Sequence, residues 1–333
     1  ATLVLVLELM VLAPHELGAS PVQVVFQVNG ESTSGASVFC VPGGYDVFTE
    51  HNGIQNITRF DPLGQLVLSR DFYDANGGFP MCVTQSETGG YYVSGLYNSD
   101  PQSMYVLKLD AALDVSWTKR FTHSNHVRGT HVTDQVDGGV VVALGNGDGI
   151  GMVRLDAAGN TDWQTRINTG IWRDVASLHQ NAYVDGAGDT QCGGYVVYSG
   201  VETSADQWDL YVAGLSPNGD SLLWQRTIGG PSWDGVEPDG SGSLTGRMSN
   251  ILVVNDNGGT NSQDVDLLVA ASTASFGTPK STMLIPLNVS GGTTLSDAPV
   301  FGQARLLDAS QNDNISGPIA GPNLIGLSDG SIV

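Results

Sequence analysis

The sequence predicts an all-β fold built from repeated four-stranded units. The chain has 333 residues, with 44 Gly, 14 Pro and only 14% charged residues, which is typical of a protein with many turns and few exposed helices. Its acidic residues divide into 27 Asp and 7 Glu, and Lys occurs 3 times, so turn formers are abundant where helix-surface residues are scarce. The third observation is a motif that recurs along the chain.

This motif begins with a Gly pair and ends with a Trp. The Gly pairs start at positions 43, 89, 138 and 193, so successive copies lie 46, 49 and 55 residues apart. Glycine supplies the positive φ that a tight hairpin needs, and a later Asp-x-x-Gly supplies a second turn of this kind. Trp117, Trp163 and Trp224 recur at one position, which indicates packing between units. Four antiparallel strands at this spacing predict the blades of a β-propeller.

The pattern continues more weakly beyond residue 230. Strands of a fifth blade are predicted at 251–254, 267–271, 283–287 and 300–307, and a sixth blade begins at 322–333 but stops after two strands. Residues 3–12 and 22–28 can supply the missing strands, which would remove an open sheet edge. We therefore expect residues 1–333 to form one six-bladed propeller whose last blade combines 322–333 with 3–28; seven blades is the alternative.

The amino-terminal apolar run has a second interpretation. It extends from Leu3 to Ala13, which is too short for a transmembrane helix of about 20 residues. It could be the end of a signal peptide. Its alternation with a period of two instead favours a strand.

The repeat resembles the secreted bacterial and archaeal propeller repeats that read Asp-Gly-Gly-Tyr, then Lys-Leu-Asp-x-x-Gly-Asn, then Trp-x-x-x-Phe. The residues that carry the resemblance include Gly89-Gly90-Tyr91, Lys108-Leu109-Asp110 and Trp117 to Phe121. It covers about residues 36 to 230. This resemblance implies an extracellular or cell-surface location and leaves the activity unassigned. The Asp-to-Gly spacing differs from that of quinoprotein propellers, so it implies no quinone cofactor.

Charge and cysteine content exclude several classes of function. A net charge of −21 disfavours binding to nucleic acid and to anionic membranes, and no membrane insertion is expected. Cys40, Cys82 and Cys192 form no CxxC pair, so a zinc site is not expected. They allow at most one disulfide, and buried free thiols are the alternative. Three sequons would permit glycosylation of an exported chain: Asn56, Asn288 and Asn314.

Candidate ligand-binding residues lie in the variable loops opposite the Gly-Gly turns, for example at 200–208 and 229–248. Variable loops on a rigid scaffold often carry recognition. Three Trp residues fall there, outside the repeated Trp position, and each has an Asp nearby: Trp172, Trp208 and Trp233 with Asp174, Asp209 and Asp234. Exposed Trp could stack on sugar rings while the carboxylates bind hydroxyl groups. Alternatively, Trp172 and Trp233 fill gaps between blades.

No residue pattern indicates a specific reaction. There is no Gly-x-Ser-x-Gly, and the 6 His residues are scattered. Asp/Asn/Gly-rich stretches could bind calcium through carboxylate oxygens, although ordinary solvated turns are the favoured explanation. The candidate ligands are Asp185, Asp189, Asp256, Asp264 and Asp266. Apart from calcium, no cofactor is expected.

These observations predict a non-enzymatic extracellular or cell-surface module with a structural or interaction role, which self-associates or binds glycans. Residues 229–321 depart most from the repeat and are the expected contact surface. The alternative is a secreted carbohydrate-active hydrolase or lyase with an Asp pair on the loop face.

Overall fold

The structure is a computed structural model, and it describes residues 4–9, 22–27, 33–51, 54–72, 78–97, 103–122, 127–146, 149–167, 172–184, 187–204, 207–232, 234, 251–256, 265–273, 281–289, 300–301 and 305–308. Every regular element in these ranges is a β-strand. The prediction of an all-β fold is therefore confirmed for the described part of the chain.

Four consecutive sheets, which we call units 1 to 4, each contain four antiparallel strands in sequence order. Unit 1 contains β3 (Thr33–Val41), β4 (Gly44–His51), β5 (Ile54–Phe60) and β6 (Leu66–Phe72). Unit 2 contains β7 (Gly78–Gln85), β8 (Tyr91–Tyr97), β9 (Ser103–Leu109) and β10 (Val115–Thr122). Unit 3 contains β11 (Val127–Asp134), β12 (Val140–Asn146), β13 (Gly149–Leu155) and β14 (Thr161–Ile167). Unit 4 contains β15 (Trp172–Val184), β16 (Thr190–Ser204), β17 (Gln207–Leu215) and β18 (Leu222–Ile228).

The remaining strands form two smaller groups. A fifth sheet contains β19 (Ile251–Asp256), β20 (Val265–Thr273), β21 (Ser281–Val289), β22 (Val300–Phe301) and β23 (Arg305–Asp308), which confirms the predicted strands of a fifth unit. At the amino end, β1 (Val4–Leu9) pairs with β2 (Val22–Gln27), so residues 4–9 of the apolar run form a strand. The predicted closure of the last blade involves 322–333, which lies outside the described residues.

Apolar side chains are shared between neighbouring units. Phe48 and Ile57 of unit 1 pack with Tyr91 and Tyr105 of unit 2 in one hydrophobic core. Two further cores join unit 2 to unit 3 and unit 3 to unit 4. The units therefore pack face to face, as consecutive blades of a propeller do. Inner strands read as apolar runs because both of their faces are covered.

The repeated Trp packs between units, as predicted, and the structure shows against what. Trp117 of unit 2 lies over Gly159 in the third-to-fourth strand turn of unit 3, and Trp163 lies in the same way over Gly219 of unit 4. A Cβ atom on Gly219 would lie 2.4 Å from the Trp163 ring. Glycine is thus needed both for its positive φ and for its missing side chain.

Unit 1 uses a different pair of residues at this junction. Leu68 replaces the Trp, and Leu113 of unit 2 replaces the facing Gly; both belong to the same hydrophobic core. Leu113 has φ 66°, which is strained for a leucine, and it is 2% exposed. Burial of the Leu113 side chain offsets this backbone strain. The other junctions avoid the strain because a glycine occupies the equivalent position beneath a Trp.

Tyrosines near the Gly-Gly turns bond to the neighbouring units. Tyr91 Oη donates to Asp46 Oδ2 at 2.6 Å, and Tyr195 Oη donates to Gln135 Oε1 at 2.8 Å. The buried Asp46 carboxylate also accepts two bonds of 2.7 Å from Arg59. The Tyr of the Gly-Gly-Tyr motif therefore fixes the packing of one unit on the one before it.

The first hairpin of unit 4 differs from the prediction. Gly193-Gly194 was expected to form its tight turn, but Asn181 pairs with Gly194 and the strands continue through three further pairs to Val184 and Thr190. The paired strands instead end at Val184 and Thr190. A register shift after Asn181 accommodates Gly193, so the Gly pair marks a bulge here rather than a turn.

Candidate functional site

Each unit has two functional edges. The turn rim is the edge that carries the turns between strands 1 and 2 and between strands 3 and 4 of units 1 to 4. The loop rim is the opposite edge, where the connections between strands 2 and 3 and between successive units lie. Because strands in a unit are antiparallel and consecutive, every Gly-Gly turn and every Asp-x-x-Gly turn lies on the turn rim.

The Asp of the Asp-x-x-Gly motif orders its own turn. Asp156 Oδ1 accepts bonds from Ala158 N at 2.9 Å and Asn160 N at 2.8 Å, and Asp61 and Asp110 accept equivalent pairs. These bonds, with Asn160 first, hold the pKa of the Asp156 carboxyl below its usual value. The repeated Asp is therefore explained by turn geometry.

Three of the predicted ligand-binding residues lie together at the loop rim of unit 4. Trp208 and Asp209 begin β17, and Asp234 N donates to Trp208 O at 2.5 Å. Gly230 N donates to Asp234 Oδ2 at 2.7 Å. The structure thus brings Asp234 to the start of β17, a contact that the sequence did not predict.

The Asp209 carboxyl is in an unfavourable environment for charge. Burial, and then the negative charge of Asp234, raise the pKa of Asp209, while a hydrogen bond from Thr203 opposes this shift. Asp209 Oδ1 is buried and has no hydrogen-bond partner. A carboxyl in such surroundings is harder to ionise than one in water.

The expected exposure of Trp208 is wrong. Its side chain is 2% exposed, and Asp234 is 0% exposed. Residues 200–204 continue β16 and pair with 207–210, so the predicted loop at 200–208 is mostly a hairpin. Trp208 is covered because this hairpin extends the sheet, and it cannot stack on a sugar in this conformation.

The structure describes less of the other candidate ligand-binding residues. Trp172 and Asp174 lie at the start of β15, which is a strand rather than a loop. Trp233 lies outside the described residues. Their side chains are not described, so binding by Trp172, Asp174 and Trp233 stays a prediction.

The calcium candidates do not form one cluster. Asp189 is exposed in the turn of the unit 4 hairpin, whereas Asp256 and Asp266 lie on the adjacent strands β19 and β20. Asp185 and Asp264 lie outside the described residues. Among those that are described, no group of three or more His, Cys, Asp or Glu could hold a metal ion. Calcium binding stays a prediction.

The cysteines and sequons have defined surroundings. Cys40, Cys82 and Cys192 are free thiols, and burial raises the pKa of Cys82 to about 11, which makes it unreactive.

Asn56 Nδ2, the atom that would carry a glycan, donates to Ser69 Oγ at 3.0 Å and to Asp71 Oδ1 at 2.7 Å. Asn288 lies in β21, and Asn314 lies outside the described residues.

A groove of about 390 Å³ lies between units 2 and 3. Its lining residues come from the loop-rim halves of β9, β10, β12, β13 and β14: Met104, Phe121, Thr122, Leu144, Gly151, Met152, Val153, Gln164, Thr165 and Arg166. A Cβ on Gly151 would lie 3.0 Å from Leu144 Cδ1, so the missing side chain leaves room there. The volume is within the range of ligand clefts.

Sequence analysis missed this groove because its walls are far apart along the chain. Two signals could have indicated it. Gly151 interrupts an otherwise apolar strand, which often marks a close approach. Arg166 lines the groove, and it lies three residues after the repeated Trp163, on the opposite face of the strand from that Trp.

Charge is distributed unevenly between the two rims. The described turn-rim segments carry mainly acidic residues: Asp61, Glu87, Asp110, Asp114, Asp134, Asp137, Asp156, Asp162, Asp189 and Asp220. The outer strands carry basic residues in their loop-rim halves: Arg70, Lys119, Arg120, Arg166 and Arg226. The loop rim also carries acidic residues, among them Asp71, Asp209 and Asp234, so neither rim has a single sign of charge. No helix in the described ranges has the length and apolarity needed to cross a bilayer.

Comparisons with known proteins reach only the fold. No protein-family model and no curated protein matches the chain. Similar solved structures include a protein of unknown function from Bacteroides caccae, with 15% identity, a TM-score of 0.44, and coverage of 90% of this chain and 82% of that chain. The Nup133 β-propeller domain of Vanderwaltozyma polyspora is 9% identical, with a TM-score of 0.48 and coverage of 87% and 77%. Kluyveromyces lactis Hsv2 is 12% identical, with a TM-score of 0.43 and coverage of 86% and 75%. At these TM-scores the function has to be inferred from the chain's own residues.

Proposed function

We propose that this chain is a non-enzymatic interaction module of propeller type, which acts outside the cell or at the cell surface and binds its partners through its rims. The observation that carries the proposal is the contrast between the conserved packing inside units 1 to 4 and their departures at the rims. The junctions between units 2 and 3 and between units 3 and 4 repeat one Trp–Gly arrangement, whereas the first hairpin of unit 4 extends beyond the Gly-Gly turns of units 1 to 3. Variation at the edges of a rigid scaffold is typical of recognition surfaces.

The buried acidic pair does not favour the alternative of a glycosidase or lyase. A glycosidase carboxyl must reach the glycosidic oxygen or the anomeric carbon of its substrate. Asp234 is fully buried, and Asp209 lies beside a buried Trp208. Asp234 therefore cannot contact a polysaccharide in this conformation.

A polysaccharide screen tests this proposal. The purified protein is incubated with a panel of polysaccharides, and new reducing ends and unsaturated products are measured. We expect none above a heat-treated control. Turnover that is lost in Asp209→Asn or Asp234→Asn, while the thermal denaturation midpoint is kept, would establish the enzymatic alternative.

Glycan binding can be tested separately. If the module binds sugars, Trp172 or Trp233 must supply the stacking surface, because Trp208 is buried. A glycan array with the unmodified protein, Trp172→Ala and Trp233→Ala would identify the ligand and the residue. For the location, protease added to intact producing cells should digest the chain without lysis.

A further inference from the structure

One position on the third strand of the units differs in the unit that borders the groove. Four residues before the end of this strand, unit 2 has Tyr105, unit 4 has Tyr211 and unit 3 has Gly151. Both tyrosines are almost fully buried, at 1% and 3% exposure, in the cores that join their unit to the preceding one. Gly151 therefore leaves the junction between units 2 and 3 without the ring that the two other junctions have.

The backbone does not require a glycine at this position. Gly151 lacks the positive φ of the turn glycines, so a residue with a side chain can adopt its conformation. Leu144 lies opposite Gly151 on the next strand, whereas the two tyrosines lie opposite the small residues Gly95 and Ser199. Leu144 does not fill the junction, because it lines the groove together with Gly151.

The wall of the groove that unit 2 provides shows the effect of the missing ring. Each outer strand carries an apolar residue four positions after the repeated Trp position. In units 1 and 3 this residue is Phe72 and Ile167, which are 7% and 5% exposed and share their cores with Tyr105 and Tyr211. In unit 2 it is Phe121, which is only partly buried and lines the groove. An aromatic ring is thus accessible from the groove.

A hydrogen-bond acceptor is present at the equivalent place. In unit 4, Tyr211 Oη donates to Gln225 Oε1 at 2.7 Å. Gln225 directly follows the repeated Trp224, and Gln164 directly follows Trp163 in the same way. Gln164 is exposed and lines the groove. The groove therefore offers the same amide group that binds the tyrosine hydroxyl in unit 4.

We infer that the groove between units 2 and 3 binds a small phenol, whose ring lies between Phe121 and Leu144 and whose hydroxyl donates to Gln164. The ligand supplies the ring and the hydroxyl that Tyr211 supplies in unit 4. Aromatic rings pack favourably edge to face or offset, and the groove volume of about 390 Å³ is sufficient for such a molecule. This inference does not depend on the proposed interaction role.

The geometry favours a free small molecule over a tyrosine side chain from another protein. A ring placed like that of Tyr211 has the carbon opposite its hydroxyl next to Gly151. A Cβ on Gly151 already lies 3.0 Å from Leu144 Cδ1, so a large substituent on this carbon would overlap the strand or Leu144. The ligand must extend from another ring carbon, which a tyrosine side chain cannot do.

Isothermal titration calorimetry with phenol and with benzene tests the role of the hydroxyl. We expect saturable binding of phenol to the unmodified protein, with a Kd of about 1 mM or lower. Gln164→Ala should weaken phenol binding about threefold to tenfold through the loss of one hydrogen bond, and leave benzene binding within about twofold. The matched control Gln65→Ala, which changes an exposed glutamine in a turn of unit 1, should change neither affinity.

A second test fills the groove from within the chain. The double variant Leu144→Ser with Gly151→Tyr reproduces the pair that Ser199 and Tyr211 form in unit 4. It should abolish phenol binding, and circular dichroism confirms that it is folded. If this variant does not fold, the Gln164→Ala comparison still decides the inference.

Three results would overturn the inference: no saturable binding of phenol, full binding in the folded double variant, or equal phenol affinity in Gln164→Ala. N-acetyltyrosine amide tests the source of the ring, and it should bind at least about tenfold more weakly than phenol because of steric overlap. Tighter binding of this amide would overturn the assignment to a free small molecule. None of these results affects the interaction role, which the polysaccharide screen tests.

Discussion

The contact between Trp163 and Gly219 provides a quantitative test of how the units pack. Gly219 has φ +66°, and an added Cβ would lie 2.4 Å from Cη2 of the Trp163 ring. Gly43 has φ +89°, and its Cβ would meet nothing within 4 Å. An alanine at either position is strained by its positive φ, but only the alanine at 219 must also displace a ring from the neighbouring unit.

The expected losses of stability follow from the backbone strain and from the displacement of the Trp163 ring. The left-handed conformation costs an alanine about 1–2 kcal/mol, and this is the whole expected effect of Gly43→Ala. Displacing a packed ring by about 1 Å adds about 1–3 kcal/mol of overpacking. Gly219→Ala should therefore lower the free energy of unfolding by about 2–5 kcal/mol.

Equilibrium unfolding in urea measures these differences in the free energy of unfolding. The unmodified protein and both variants are compared with one common m-value, the slope of that free energy against urea concentration. Repeating Gly219→Ala in a Trp163→Ala background removes the ring and should leave only the strain. Equal losses at positions 43 and 219, or an unchanged loss in the Trp163→Ala background, would refute the idea that the Trp–Gly contact sets the distance between units.

The other predictions concern buried positions in units 1, 2 and 4. Trp208→Ala should lower the free energy of unfolding by about 3–5 kcal/mol because the side chain is fully covered, whereas Leu222→Ala, at a position 42% exposed, should cost much less; similar denaturation midpoints would show that Trp208 does not pack as described. Leu113→Gly should destabilise the protein because it removes a buried side chain facing Leu68, and Leu68→Trp should recover part of this loss by restoring the Trp–Gly pair of the other junctions; a larger loss in the double variant would contradict the equivalence. The pKa of Asp209 is raised in the folded protein, so its ionisation destabilises the fold as pH rises through that pKa; Asp209→Asn should therefore stabilise the protein near neutral pH and lose this advantage as pH falls below the raised pKa. Thermal denaturation as a function of pH checks this sign, and a constant difference across pH would contradict it.

Most of the strand pattern could be predicted from the sequence because it depends on local chemistry. Gly89-Gly90 and Asp110 define turns through positive φ and an Asp side chain that bonds its own backbone. The predicted strands of units 1 to 3 and of the fifth sheet agree with the structure. Packing of the repeated Trp was also predictable, because three copies at one position would not share an exposed role.

The candidate site was predicted only in part. Trp208 and Asp234 are joined by a backbone bond, a contact that the sequence did not predict, and the predicted exposure of Trp208 is wrong. Exposure depends on whether neighbouring strands end or continue, and nothing local to Trp208 reports that residues 200–204 stay in the sheet.

The sequence by itself determined the all-β class, the repeat and the residues that pack between units, since each follows from short-range periodicity and turn chemistry. Tertiary structure decided the rest. Gly193-Gly194 has the same local sequence as the turns of other units, yet strand pairing makes it a bulge and continues to Val184 and Thr190. The groove depends on side chains from two units, and its shape arises only when Gly151 is brought against Leu144. At these positions, strand pairing and packing between distant residues outweigh the local preference for a turn. The reason is that they involve many contacts, whereas a single turn makes only a few.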